Sequence, residues 1–139
     1  MRALLIDSDA LAAHAIERML QSSGILTDQA HSSQEALQLA RRREYDVILI
    51  DPMLTDVDGR DLLDRVQAAS SAPLLALSAS ERARARAKAF RLGANDCIDK
   101  PFGRVELVAR VKALASGRVP SPLPRPAQGR LLEIAPTAA

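Results

Sequence analysis

Nearly unbroken apolar runs occupy residues 3–6, 47–50 and 74–77, and stretches of helical period lie between them. Continuous rather than alternating apolar character is what a parallel strand needs when helices cover both faces of its sheet. Weaker runs at residues 25–30 and 96–98 read as edge strands. On the first intervening helix, Ala12, Ala15, Ile16, Met19 and Leu20 share a face, with Gly24 as a stop. Ser32 and Glu35 form a capping-box pattern ahead of Ala36, Leu37 and Ala40. Leu62, Leu63, Val66 and Ala69 mark a third helix, residues 81–92 a fourth that ends at Gly93, and Val105, Val108, Val111 and Leu114 a fifth. The resulting order is βα five times over, which predicts an α/β domain with a doubly wound, five-stranded parallel sheet.

The pattern stops near Ser116. Beyond it, Pro120, Pro122, Pro124 and Pro126 alternate with other residues, the composition of an extended linker or tail. The expected division is therefore a domain over residues 1–116 and a Pro-rich segment over 117–139 that leads into a missing effector domain or ends as a tail. Residues 129–134 read equally as the first strand of that further domain or as a frayed end. Aromatic residues are 2% of the 139, so the core must be aliphatic. No apolar run approaches the ~20 residues of a membrane span, and the N-terminal run is too short for a signal-peptide core. A cytoplasmic location is expected, and the single cysteine, Cys97, agrees with a reducing compartment. The net charge of +2 fits a solvated, arginine-rich surface better than a nucleic-acid surface, because no aromatics are interleaved for stacking.

Open parallel sheets place ligand sites at the carboxyl ends of their strands. Polar groups stand at four such ends: Asp7, Asp51, Ser78 and Lys100. Right-handed crossovers put the first and third strands side by side, and neighbouring strands are roughly 5 Å apart. Asp7 and Asp51 are then placed to share one hard cation, and Mg²⁺ takes one or two carboxylates with water or phosphate. An aspartate is a competent nucleophile toward a phosphoryl group, with a lysine and a hydroxyl stabilising the transferred oxygens. Each residue alone also reads as a helix cap, a turn residue or a surface lysine; the conjunction is what carries the chemistry.

With these residues in view, Leu4-Leu5-Ile6-Asp7, Asp46-Val47-Ile48-Leu49-Ile50-Asp51, Asp58-Gly59, Leu77-Ser78-Ala79, Gly93-Ala94-Asn95-Asp96 and Lys100-Pro101-Phe102 resemble the receiver domains of bacterial two-component response regulators. The resemblance runs from residue 1 to about 116. It implies a flavodoxin-like strand order of 2-1-3-4-5 and a signalling role rather than an enzymatic one. Asp51 would be the phospho-acceptor, Asp7, Asp51 and the Met53 carbonyl would hold Mg²⁺, and Ser78 and Lys100 would contact the phosphoryl group. The Lys100–Pro101 bond would be cis. A histidine kinase is the implied phosphodonor. The nearest class is the winged-helix transcriptional regulators, which bind DNA through a separate effector domain. Their receivers form homodimers through the fourth helix, fifth strand and fifth helix, and Asp96 with Arg110 and Arg86 with Glu106 match their inter-subunit pairs. As plain solvated pairs the same charges would contribute about 0–1 kcal/mol each.

Several positions depart from the family pattern. Ser8 stands where a second acid is usual, while Asp9 reads as the cap of the first helix. At about 4 Å and an effective dielectric of about 20, one charge attracts a dication by ~8 kcal/mol before desolvation. If ~1.4 kcal/mol survives, its loss weakens binding tenfold, so weak Mg²⁺ binding is expected. Cys97 replaces the usual Tyr or Phe switch and reads as a small apolar filler ahead of a redox sensor. Thr55 replaces a typical proline, and Pro52 removes a backbone donor beside the pocket. Arg82, Arg84, Arg86, Lys88 and Arg91 make the fourth helix strongly basic, a solvated face by default.

Two further readings compete with a phosphorylated receiver. One is an atypical receiver that acts by dimerisation or partner binding without phosphorylation. The other is a small hydrolase on the same fold, which would need a general base beyond Asp51. His14, on a helix, and His31, at a strand end, are read as lying away from the pocket. No glycine-rich phosphate loop follows the first strand, which argues against nucleotide binding.

Overall fold

The computed structural model describes residues 1–51, 59–78 and 93–117, without the side chains of residues 59, 60 and 78. The expected helix over residues 81–92, the tail beyond 117, and Pro52, Met53, Thr55, Asp58 and Arg86 lie outside them.

Five strands form one sheet in the order β2-β1-β3-β4-β5: β1 (Arg2–Ile6), β2 (Leu26–Ala30), β3 (Val47–Ile50), β4 (Leu74–Ser78) and β5 (Asp96–Asp99). Every adjacent pair is parallel. Both weaker runs became edge strands, as expected. Helices α1 (Ala10–Gln21), α2 (Ser33–Arg42), α3 (Gly59–Ala69) and α4 (Arg104–Ala115) flank the sheet; α4 is the fifth helix of the sequence pattern.

Successive strand residues face opposite sides, so each unbroken apolar run feeds two cores. Leu4, Ile6, Ile48 and Ile50 pack with Ala36, Leu37 and Ala40 of α2 and with Leu62, Leu63 and Val66 of α3. Ala3, Leu5, Val47 and Leu49 pack with Ala13, Ile16 and Leu20 of α1 and with Leu107, Val111 and Leu114 of α4. Both cores are aliphatic, with Tyr45 at the margin of the first and Phe102 at that of the second.

Two helix faces differ from their sequence pattern. On α1 the buried stripe is Ala13, Ile16 and Leu20, while Ala15 is exposed. On α4 Leu107 takes the place expected for Val105, which is 75% exposed. Two residues are about 200° of helical rotation, so a stripe through Leu107, Val111 and Leu114 turns Val105 to solvent.

Helix starts and stops follow local chemistry. Asp9 caps α1 by accepting the amides of Leu11 and Ala12, as expected. Ser32 Oγ accepts the Glu35 amide, while the Glu35 carboxylate takes the amide of His31, one residue before the cap. Gly24 follows α1 at φ +80°, a conformation that side chains with a Cβ rarely adopt. None of the described helices is long and apolar enough to cross a membrane.

Candidate functional site

β1 and β3 run in register, with Ile6 beside Ile50, so the next residues, Asp7 and Asp51, emerge side by side at the carboxyl edge. The Asp51 amide donates to the Ile6 carbonyl at 3.0 Å and continues the ladder one rung into the site. Lys100 follows β5 and reaches back across β4. Its Nζ lies 3.2 Å from Asp7 Oδ2 and 3.3 Å from Asp51 Oδ2. The Lys100–Pro101 bond is cis, as the resemblance implies.

Asp7 is a buried carboxylate, with its side chain 1% exposed, against 15% for Asp51. Burying such a charge is costly unless it is paired and hydrogen-bonded, and both oxygens of Asp7 are. Oδ1 accepts the Asp9 amide at 3.0 Å and Oδ2 faces the lysine. Burial alone would lower the Lys100 pKa, but Asp51 and then Asp7 outweigh it and hold the amine above its usual 10.5. The ammonium is therefore firmly charged, a fixed cation between two carboxylates.

Three of the residues read from the sequence, Asp7, Asp51 and Lys100, thus converge. Ser78 closes β4, opposite Asp99 in the strand register, and its side chain lies outside the described residues, as does Met53. Ser8 is exposed beside Asp7, and Asp9 is committed to its cap. The paired carboxylates fit Mg²⁺, which asks for hard oxygen donors and needs only one or two from carboxylates. Among the described residues no group of three or more His, Cys, Asp or Glu gathers to hold a metal.

Near the site, the structure places His31 differently from the sequence reading. His31 does not lie away from the pocket: its Nδ1 is 3.0 Å from the carbonyl oxygen of Asp7. His14 is exposed on α1. Cys97 is 1% exposed and sits in the core with Ile48, Ala76 and Ala94, as a small filler would. Of the charged residues read as inter-subunit partners, Asp96, Glu106 and Arg110 are paired within one chain. Arg110 Nη1 lies 2.9 and 3.0 Å from the two oxygens of buried Asp96, and Nη2 lies 3.4 Å from Glu106. A second network, unread from the sequence, joins Tyr45 and Arg2 to Asp28 at 2.8 and 3.1 Å, with Arg43 at 3.5 Å.

A parallel sheet of this order, with two carboxylates and a lysine at its carboxyl edge, places the chain in the class of flavodoxin-like α/β domains. Residues 3–112 match the response regulator receiver domain family, and the chain belongs to it. It is a receiver domain of the two-component response regulators. It is 36% identical over 114 residues to the transcriptional activator protein IrlR of Burkholderia pseudomallei, covering 82% of this chain and 50% of that protein. It is 36% identical over 115 residues to the cell cycle transcriptional regulator CtrA of Caulobacter vibrioides, with the same coverage. The chain spans about half the length of these curated relatives. Among solved structures, the receiver domain of the Francisella response regulator 1452 superposes with a TM-score of 0.73 at 34% identity, covering 84% of this chain and 97% of that one. The receiver domain of the sensor histidine kinase PA1611 of Pseudomonas aeruginosa, with a magnesium ion in its active-site cleft, gives 0.75 at 28% identity, covering 83% and 97%.

Proposed function

We propose that this domain is the phosphoryl-accepting half of a transcriptional response regulator, with Asp51 as the acceptor. The observation that carries this is Lys100 Nζ, held within 3.2 and 3.3 Å of the Asp7 and Asp51 carboxylates. A carboxylate oxygen of Asp51 attacks phosphorus, forming the new O–P bond as the donor's bond to phosphorus breaks and the leaving group takes that electron pair. In-line transfer needs positioning and charge neutralisation more than covalent help. Lys100 is already charged and in place to pair with a transferred oxygen, and Ser78, at the end of β4, stands where a hydroxyl donor is useful. Asp7, Asp51 and the Met53 carbonyl would hold Mg²⁺. When bound, the ion supplies positive charge to the phosphoryl oxygens.

The donor is a phosphohistidine of a histidine kinase, and the reading is that of a cytoplasmic signalling module rather than an enzyme with its own substrate. The names of the relatives and the half-length match support an output domain that binds DNA beyond the Pro-rich segment. Homodimerisation through residues 81–92, β5 and α4, using Arg86, Asp96, Glu106 and Arg110, is the proposed route from phosphorylation to output. A dimer that pairs Arg110 with Asp96 of a second copy exchanges an intrachain ion pair for an intermolecular one.

The test is incubation with Mg²⁺ and acetyl phosphate, read by intact mass, alongside beryllofluoride read by amide chemical shifts. A single phosphoryl adduct that disappears in Asp51→Asn is expected. No adduct at high donor concentration would overturn the reading and point to signalling without phosphorylation.

A further inference from the structure

The five strand ends carry five polar residues, and the reading above uses four of them. The fifth is His31, which follows β2. The β1–β2 register ends with Ile6 beside Ala30, so Asp7 and His31 are the next pair. The ladder reaches this rung, because the Asp7 amide donates to the Ala30 carbonyl at 3.0 Å. The chain then leaves the sheet at Ser32, the N-cap of α2. It is the side chain of His31 that meets the next acceptor, the Asp7 carbonyl, at 3.0 Å.

A carbonyl oxygen only accepts, so Nδ1 carries the proton and donates it. The main chain of His31 is itself anchored: its amide donates to Glu35 Oε1 at 2.8 Å, tying the residue to the first turn of α2. Asp7 is thereby held at its amide by Ala30, at its carbonyl by His31, at Oδ1 by the Asp9 amide and at Oδ2 by Lys100. Two of those partners, the Ala30 carbonyl and the Lys100 amine, come with the strand ladder and the lysine, and the Asp9 amide with the local turn. The imidazole is the fourth partner, a side chain supplied from the end of β2.

We propose that His31 is a positioning residue of the acceptor site. By holding the Asp7–Ser8 peptide it fixes the direction in which the Asp7 carboxylate faces Lys100 and a bound cation. The proposal rests on the phosphoryl-acceptor reading for its functional meaning. Its weight comes from Ser8. With no second acid beside it, Asp7 contributes the charge at the end of β1 that faces Lys100, and its orientation matters more than where two carboxylates share the task. The imidazole acts through the main chain of Asp7 and reaches no reacting atom. Because His31 is exposed, replacing it removes a hydrogen-bond donor without opening a core cavity, which separates positioning from packing.

The experiment compares wild type, His31→Ala and His31→Asn in the full chain, since an asparagine amide can donate from nearly the same place as Nδ1. The first measurement is hydrogen exchange of the Asp9 amide with no metal present, because that amide is bonded to Asp7 Oδ1. His31→Ala should exchange it about fivefold faster, with the amides of β3 unchanged and the asparagine variant near wild type. The second is a titration with Mg²⁺ alone, followed by amide shifts. His31→Ala should bind about tenfold more weakly, the low end for loss of a residue that orients a ligand, and His31→Asn should recover most of this. Unchanged Asp9 exchange in the alanine variant, or an asparagine variant as impaired as alanine, overturns the proposal. Faster exchange with unaltered Mg²⁺ affinity overturns the role of His31 in the site. If wild type itself binds no Mg²⁺ and accepts no phosphoryl group, the phosphoryl-acceptor reading fails, while the exchange data still decide whether His31 positions Asp7.

Discussion

Asp7 and Ser8 are neighbours in the chain with opposite fates. Asp7 is buried with both carboxylate oxygens bonded, and Ser8 is exposed. The site therefore brings two carboxylates to one lysine, and the charge balance is nearly closed before a dication arrives. Ser8→Asp adds a third carboxylate. In Mg²⁺-free buffer this variant should melt below wild type, because like charges crowd Lys100. Its Mg²⁺ affinity should rise about tenfold, the equivalent of ~1.4 kcal/mol, and added Mg²⁺ should raise its melting temperature by more than it raises that of wild type. Calorimetric titration and thermal melts with and without Mg²⁺ read both effects. Equal affinities would show that the Ser8 position faces away from the ion.

Edge strand β2 is tied down by something other than its own apolar residues. Leu26 on this strand is 56% exposed, and the strand's polar Asp28 gathers Arg2 from the start of β1, Arg43 from the end of α2 and Tyr45 ahead of β3. Burial, then the hydrogen bond to Asp28 and the charge of Asp28, push the Tyr45 hydroxyl above its ordinary pKa of 10.0. The folded state thus favours neutral tyrosine. Stability from this source is fully present below the unfolded pKa near 10 and is lost as pH rises through the raised folded value. Tyr45→Phe should cost ~1 kcal/mol at neutral pH, the scale of one hydrogen bond. Urea midpoints for the two proteins should converge above pH 10, where the wild type loses what the variant never had. Parallel curves across that range would show that Tyr45 does not titrate against folding.

Across the whole molecule, the two cores hold the sheet as a platform whose carboxyl edge carries the site, while β5 and α4 form one flank. Arg110 is the internal counter-ion of buried Asp96, so its reversal would strand that carboxylate and confuse folding with assembly. Glu106 is about half exposed and is the cleaner probe of the proposed dimer. Glu106→Arg should drive the beryllofluoride-loaded protein toward monomer in a sedimentation concentration series, with little change in melting temperature. Arg86→Glu added to it should restore dimers by swapping the pair. Dimers that persist in Glu106→Arg would place the interface elsewhere.

What the sequence by itself determined is the local and periodic part. Unbroken apolar runs between helical patterns specified a covered parallel sheet. Asp9, Ser32 and Gly24 specified where helices begin and end, because caps are satisfied by atoms a few residues away. Asp7, Asp51 and Lys100 were legible because strand ends are where such sheets place chemistry. Only the tertiary structure decided what depends on how distant segments register. The pairing of β1 with β2 brought His31 onto the Asp7 carbonyl, and the packing angle of α4 chose Leu107 over Val105. The approach of α4 to β5 closed Arg110 onto Asp96 of the same chain. Each of these is a contact between segments far apart in sequence, where a shift of one residue in register or a fraction of a turn changes the partner without changing the pattern.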